Sequence, residues 1–279
     1  MTAAPTQRWL AFDTSTDVLS LAVARADQVW TQTLPGGAQA SSGLIPAVLA
    51  LLAEADMPLT SLDAIVFGRG PGSFTGLRTA CAVAQGLAFG ADLRVLPVDT
   101  LLAVAEEARW AQVQAGALAA DAELTVLALL DARMDEVYSA AYRWTPDGGA
   151  GHWHAAAPLQ VSAPENIPSG ASLGLAPGSA LLLAGNAFAA YAERLQPGHL
   201  NPSLNPGLIT SHCQALPTAA ALLRLAPALW AQGLAVPADQ AMPLYVRDKV
   251  AYTSAERQAM KAPTLPVPSS AKAQARPSS

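Results

Sequence analysis

The stretch GRGPGSFTGLR, residues 68–78, has the composition of a loop that could hold phosphate. Its glycines allow close approach of the backbone to a ligand. Ser73 can cap a following helix, whose free N–H groups would attract an anion. The stretch does not fit the common phosphate-binding patterns, because it has no lysine for GxxxxGK[ST] and has Thr75 where GxGxxG needs its third glycine. Phosphate binding through Gly72 and Ser73 is therefore one hypothesis for this loop.

A second polar cluster, Asp13-Thr14-Ser15, follows an apolar run and offers one carboxylate and two hydroxyl groups. Asp13 could coordinate Mg²⁺ on a bound nucleotide, or its carboxylate could accept hydrogen bonds from the next turn. We favour the second interpretation, because aspartate is a common turn residue. The two stretches together define a possible vestigial nucleotide-binding site of Asp13, Thr14, Ser15, Gly72 and Ser73.

The sequence contains no other recognisable catalytic constellation. Pro71 and Thr75 stand where a nucleophile elbow GxSxG around Ser73 would need glycines. The four histidines form neither HExxH nor HxxxH, and the alternating pair His152 and His154 is typical of a strand surface. We expect no catalytic residue and no metal site in this chain.

The composition favours a cytoplasmic protein that contacts partners. The 279 residues are 52% hydrophobic and 13% charged, so a large core and a partly apolar surface are expected. The net charge of −5 and the late first lysine, Lys249, argue against direct binding of nucleic acid, which needs a basic excess. Two isolated cysteines and an N-terminus without a leader favour the cytoplasm. The apolar runs predict no membrane span.

Hydrophobic periodicity predicts strands and helices in two similar halves. The predicted strands are 9–16, 18–26, 28–34, 64–68, 95–100, 125–134, 135–144, 152–161 and 180–186, and the predicted helices are 42–55, 73–89, 101–112, 187–195 and 216–234. Asp13 and Asp131 both end the first strand of a half. We therefore expect an α/β protein with a duplicated unit of three strands, helix, strand and helix.

The predicted helix over 73–89 has a face of small residues, Gly76, Ala80, Ala84 and Ala88, at intervals of four. Such a face lets another helix approach closely. The spacing does not reveal whether that second helix belongs to this chain or to another one.

Four motifs in order along the chain resemble the TsaB (YeaZ) family, whose members take part in making threonylcarbamoyladenosine on tRNA. They are LAFDTST at 10–16, GRGPGSFTGLR at 68–78, DARMDEVY at 131–138 and PLYVRDKVA at 243–251. The resemblance implies an actin-like ATPase (ASKHA, ribonuclease H-like) fold with two lobes from a duplicated βββαβα unit.

The resemblance also implies a division of the chain into lobes. The first lobe would span 1–108, with helix 216–234 packing back on it, and the second lobe would span 109–215. A C-terminal motif segment would follow at 235–253. Residues 254–279, rich in Pro, Ser and Ala, are predicted to be a disordered tail.

The family resemblance implies a non-catalytic partner subunit. The catalytic TsaD-type paralogue carries HxxxH on its first helix, whereas the corresponding stretch here, 36–49, has no histidine. The chain alone would bind no cofactor, while the complex uses ATP and Mg²⁺ and includes a small TsaE-type ATPase. The chain would contact tRNA only indirectly and would form a homodimer when alone. The residues expected at the partner interface are Leu44, Val48, Leu51, Gly76, Ala80, Ala84 and Ala88.

Two functions from other classes stay open at this point. Asp13-Thr14-Ser15 and the glycine loop are also compatible with an actin-fold small-molecule kinase or ATPase. A glycoprotease-like peptidase is a weaker alternative, because no nucleophile and base pair supports it.

Overall fold

Two five-stranded mixed sheets with the same strand order organise the chain. The computed structural model describes residues 7–147, 150–168, 172–175, 179–195 and 209–246. The predicted tail at 254–279 and the last residues of the predicted 235–253 segment lie outside the described residues.

The first half of the chain forms one sheet with helices on both faces. Its elements are β1 (Arg8–Asp13), β2 (Val18–Arg25), β3 (Gln28–Pro35), α1 (Ala40–Glu54), β4 (Ala64–Gly70), α2 (Phe74–Ala91), β5 (Arg94–Asp99) and α3 (Thr100–Gln114). The strand order is β3-β2-β1-β4-β5, with β1, β2 and β3 antiparallel and β1, β4 and β5 parallel. Every element predicted in this half is present, with ends that differ by a few residues.

The second half repeats this arrangement. Its elements are β6 (Leu124–Arg133), β7 (Glu136–Asp147), β8 (Ala150–Ser162), β9 (Ala180–Gly185), α4 (Ala187–Tyr191), β10 (Ile209–Cys213) and α5 (Ala219–Ala231). The sheet order β10-β9-β6-β7-β8 equals that of the first sheet, as a duplicated unit requires. Strand β10 was not predicted, because its five residues, ITSHC, have no clear alternation of polar and apolar side chains. Helix α4 is four residues shorter than the predicted helix 187–195.

The central strands of the first sheet are buried on both faces, which explains their nearly continuous apolar sequence. Leu10 and Phe12 of β1 face a core shared with α1 and α2. Trp9 and Ala11 face the opposite core, which contains Leu222 and other residues of α5. The sheet therefore separates a layer formed by α1 and α2 from a layer that contains α5.

Helix α3 lies between the two sheets and carries a buried carboxylate, Glu106, which is 3% exposed. Its Oε1 accepts a hydrogen bond from Arg224 Nε of α5 at 2.8 Å. Its Oε2 accepts from Trp153 Nε1 of β8 at 3.0 Å and from Arg109 Nε at 3.4 Å. One side chain thus connects α3, α5 and the second sheet, in surroundings that strengthen each charged hydrogen bond.

We predict that Glu106→Gln lowers the free energy of unfolding by about 3 kcal/mol, because it leaves the buried Arg109 guanidinium group without its anion and leaves Arg224 paired with Glu107 alone. Urea denaturation of the full chain measures this change. Glu54→Gln at the exposed end of α1 is the matched control and should leave the free energy of unfolding unchanged. A loss below about 1 kcal/mol for Glu106→Gln, within the range of an exposed ion pair, would contradict this role.

Candidate functional site

The structure brings the two predicted polar stretches together but buries them. Asp13 and Thr14 are fully buried and Ser15 is 3% exposed. The backbone N–H of Ser73 donates to the Ser15 carbonyl at 2.7 Å, and Thr14 Oγ1 donates to the Gly76 carbonyl at 2.7 Å. The glycine loop therefore binds the loop between β1 and β2 through its own backbone.

Close packing explains why this loop is rich in glycine. A Cβ at Gly76 would lie 1.9 Å from the Thr14 carbonyl oxygen, and one at Gly72 would lie 2.6 Å from Ser15. Ser73 caps α2 by accepting a hydrogen bond from the Gly76 N–H. The glycine loop therefore packs directly on Thr14 and Ser15, and the vestigial nucleotide-binding site stays a prediction.

The Asp13 carboxylate fixes the loop after β1. Its Oδ1 accepts hydrogen bonds from the Ser15 N–H at 2.8 Å and from Ser15 Oγ at 2.6 Å. Its Oδ2 is buried without a hydrogen-bond partner among the described residues. Burial raises the pKa of Asp13 to about 6, while the hydrogen bonds from Ser15 partly oppose that rise. The turn-capping interpretation of Asp13 agrees with this geometry.

The other end of the glycine loop receives a segment from the C-terminal part of the chain, residues 241–246, which we call the strap. Leu244 N–H donates to the Arg69 carbonyl at 2.7 Å. Gly70 has φ +122°, and a Cβ there would lie 2.6 Å from the Leu244 carbonyl oxygen. Gln85 Nε2 of α2 donates to the Ala241 carbonyl at 2.8 Å. The glycine loop thus holds two neighbouring segments of the protein itself.

A cleft of about 490 Å³ lies between the two halves. Its lining includes Thr16, Asp17, Val18, Glu107, Ala111, Asn186, Gln214, Ala215, Leu216 and Thr218. The cleft therefore presents two carboxylates and no Lys or Arg from the described residues. Both carboxylates are paired with arginines, Asp17 with Arg133 at 2.9 Å and Glu107 with Arg224 at 2.6 Å, so neither is an uncompensated negative charge in the cleft.

The turn between β6 and β7 meets the first half beside this cleft. Arg133 Nη2 lies 2.9 Å from Asp17 Oδ2, and Arg133 Nη1 lies 3.2 Å from Asp131 Oδ2. Arg133, Met134 and Asp135 all have φ near +60°, a conformation that favours glycine or asparagine. The DARMDEVY motif therefore forms a left-handed turn whose arginine reaches the other half.

The part of the chain that the structure describes contains no assembled site for a metal ion or for a catalytic nucleophile. No three side chains of His, Cys, Asp or Glu come together there as a metal ion would need. The hydroxyl of Ser73 serves the helix cap, and the described histidines lie on β8 and β10 of the second sheet.

The seven residues predicted for the partner interface are buried within this chain, which corrects that assignment. Six of them belong to the core between the first sheet, α1 and α2, namely Leu44, Val48, Leu51, Ala80, Ala84 and Ala88. Gly76 packs on Thr14 instead. A spacing of four identifies residues that share a helix face, but it does not distinguish the inner face from the outer one.

The outer faces of α1 and α2 are also apolar, and the sequence analysis overlooked them. Ile45 and Leu49 of α1 are 44% and 55% exposed, and Phe89 of α2 is 84% exposed. Phe74 lies at the other end of α2. The signal was available in the sequence, because residues 45, 49 and 53 and residues 82, 86 and 89 also follow helical spacing.

Three glycines within these helices, Gly43, Gly86 and Gly90, have no atom within 4 Å of the position of a Cβ. An alanine would fit at each of them in the isolated chain. Glycine inside a helix destabilises it by roughly 0.5–1 kcal/mol relative to alanine. Packing among the residues that the structure describes therefore gives no reason for these three glycines.

We predict a pH dependence of stability that originates from Asp13. Its pKa is raised from 3.8 to about 6 in the folded state, so the folded state binds the proton more tightly than the unfolded chain. Stability from this group is highest at low pH and is lost as the pH rises through 6, by about 1 kcal/mol between pH 5 and 7.5.

Urea denaturation at the two pH values checks this expectation. Asp13→Asn should flatten the change between pH 5 and 7.5 relative to the unsubstituted chain. The same slope in both proteins would assign the pH dependence to another group.

Comparisons with known proteins agree with this architecture. The family model described as "TsaD: tRNA N6-adenosine threonylcarbamoyltransferase" matches residues 35–165. The tRNA threonylcarbamoyladenosine biosynthesis protein TsaB of Haemophilus influenzae is 33% identical over 248 residues, which cover 87% of this chain and 94% of that protein. The TsaB protein of Escherichia coli is 31% identical and covers 88% and 96%.

A solved structure extends the similarity to three dimensions. YeaZ from Pseudomonas aeruginosa superposes with a TM-score of 0.68 at 35% sequence identity, over 86% of this chain and 99% of that one. The shared two-sheet architecture and the match to the TsaD family indicate the actin-like ATPase fold. From the identity with TsaB proteins along nearly their whole length, the chain belongs to the TsaB (YeaZ) family.

Proposed function

We propose that this chain is a non-catalytic subunit of the complex that transfers threonylcarbamoyl to an adenosine of tRNA. We propose further that the outer faces of α1 and α2, with the strap, bind the catalytic TsaD-type paralogue. One observation carries the second proposal. Nine large apolar side chains of the described residues are exposed, and six of them lie on α1, α2 or the strap, namely Ile45, Leu49, Phe74, Phe89, Met242 and Tyr245.

The energetics support a partner on this surface. Helix α1 is apolar on both sides, and the stretch Gly37–Glu54 has the length and mean hydropathy, 1.2, of a membrane span. Its inner residues pack on the sheet, so its outer residues are the part that needs cover. Removing a side chain such as Phe89 from water would contribute roughly 2 kcal/mol.

The open glycines support a partner helix that approaches closely. Gly86 and Gly90 lie on the outer side of α2, and Ala82 is exposed on the same side. Small side chains there let a second helix come nearer than larger ones would allow. A homodimer of the isolated chain through this surface fits the same argument, since a twofold axis brings identical patches together.

Two observations support a non-catalytic role. Asp13, Thr14 and Ser15 are buried against the glycine loop, and the described lining of the cleft includes no Lys or Arg that could bind a triphosphate. ATP and Mg²⁺ would then act elsewhere in the complex, with the TsaE-type ATPase and the paralogue. The net charge of −5 supports an indirect contact with tRNA. The two free cysteines fit the cytoplasm, where tRNA is modified.

We predict that Gly86→Ala separates stability from partner binding. The isolated chain should gain about 0.5–1 kcal/mol in free energy of unfolding, because the added methyl group meets open space. Binding to the TsaD-type paralogue should weaken by about 1–3 kcal/mol, because the same methyl group enters a close helix contact. Urea denaturation and isothermal titration calorimetry measure the two effects.

Two charge insertions on neighbouring faces of α2 provide the control. Ala82→Glu, on the outer face, should leave the fold intact and abolish binding to the paralogue. Ala84→Glu, on the buried face, should unfold the isolated chain. Normal binding by both Gly86→Ala and Ala82→Glu would rule out this face as the interface.

Reconstitution tests the non-catalytic role. The purified chain alone should neither hydrolyse ATP nor modify tRNA, and modification should appear when the paralogue, the small ATPase and the enzyme that supplies the threonylcarbamoyl adenylate are added. Under conditions in which it is folded, Asp13→Asn should support the reconstituted reaction at the same rate as the unsubstituted chain. Modification of tRNA by this chain alone would refute the proposal.

A further inference from the structure

Arg78 occupies a distinctive place on the α1–α2 surface. It is the one charged residue within α2, and Glu54, at the last position, is the one charged residue within α1. Arg78 is exposed, and the residues that follow on the same side of α2 are Ala82, Gly86 and Phe89. A single cation thus stands within an apolar surface.

Two aromatic rings hold this cation in place. The guanidinium carbon of Arg78 lies 3.7 Å from the centroid of the Phe74 ring and 6.0 Å from that of Tyr245. Arg78 Nε donates to Tyr245 Oη at 3.0 Å, and the two rings lie 5.3 Å apart. The backbone beside Tyr245 is held by the hydrogen bond from the Leu244 N–H to the Arg69 carbonyl. The guanidinium group is therefore restrained before any partner arrives.

We propose that Arg78 is a recognition residue that pairs with a carboxylate on the partner's docking helix. This inference rests on the proposed function, because it assumes that the TsaD-type paralogue covers this surface. An arginine that becomes buried in an apolar interface needs an anion, since an unpaired buried charge is strongly destabilising. The bond to Tyr245 uses Nε, so with respect to the described residues the two Nη groups are available for a bidentate carboxylate.

The restraint by Phe74 and Tyr245 gives affinity as well as geometry. Ordering a long side chain on binding costs conformational entropy, and the contacts of Arg78 with Phe74 and Tyr245 reduce that cost. The strap thereby acts as a positioning element, because Tyr245 directs a side chain of α2 from 167 residues away in sequence.

The surroundings favour a carboxylate over the phosphates of RNA. Binding to a phosphate backbone draws on several cations together, whereas the surface around Arg78 is apolar. Arg69, the nearest arginine in sequence, is already paired with Asp99 at 2.6 Å. Loss of tRNA affinity by an assembled complex that contains an Arg78 variant would instead indicate an RNA contact.

The test measures the dissociation constant of full-length variants with the purified paralogue over a range of salt concentrations. Arg78→Gln should weaken binding about 30-fold or more, and Arg78→Glu should weaken it further, since one carboxylate is left buried without its partner. Binding by the unsubstituted chain should weaken as salt rises, and Arg78→Gln should remove most of that salt dependence. Arg143→Glu, at an exposed position on β7, is the control and should bind normally.

Two further variants separate recognition from a structural role. Arg78→Lys keeps the charge without the planar fork, so it should restore the salt dependence but only part of the affinity. Tyr245→Phe keeps the ring and removes the hydroxyl that accepts from Arg78, so it should weaken binding with the salt dependence unchanged. A charge reversal at one acidic residue of the paralogue should rescue Arg78→Glu.

The outcomes are distinct. If Arg78→Gln and Arg78→Glu bind the paralogue as tightly as the unsubstituted chain, the proposal for Arg78 is overturned while the proposed function stands. If the unsubstituted chain itself fails to bind, both are overturned. If the variants bind the paralogue normally but the assembled complex loses affinity for tRNA, Arg78 faces RNA and the carboxylate proposal is overturned.

Discussion

Helix α2 has small residues on two faces, and only one of these faces packs against other described residues of the chain. The inner face, which includes Ala80 and Ala84, packs against the first sheet and α1. The outer face, with Ala82, Gly86 and Gly90, meets open space. In the proposed assembly, Phe74 and Phe89 at the two ends of α2, together with the apolar side chains of α1 and the strap, would supply the binding energy for a partner. Helix α2 therefore belongs to the core of the fold through its inner face and to the proposed assembly through its outer face.

The glycine loop and the loop after β1 hydrogen-bond to each other through Ser73 and Ser15. The buried Asp13 carboxylate accepts hydrogen bonds from Ser15 and so helps to fix this contact, while burial raises the pKa of Asp13. A cleft lies between the halves, and its described lining includes no Lys or Arg to bind a triphosphate. In our account the glycine loop and the loop after β1 support the surface that α2 presents.

Sequence periodicity predicted most of the fold, because the first sheet has long apolar strands and α1 and α2 have clear helical spacing. It failed for β10, where five mixed residues carry no pattern. The site was harder to predict. Small residues at intervals of four pointed to α2, yet the period alone could not tell the buried Ala84 from the exposed Ala82. The contact of Tyr245 with Arg78 joins residues that are distant in sequence, which local patterns do not report.

Hydrogen–deuterium exchange on the chain with and without the TsaD-type paralogue addresses the central claim most directly, because it reports which backbone amides become protected upon binding. The account predicts added protection over α1, α2 and the strap, residues 40–54, 74–91 and 241–246, and none over the second sheet. Protection confined to the second sheet or to the cleft, with α1 and α2 unchanged, would contradict it.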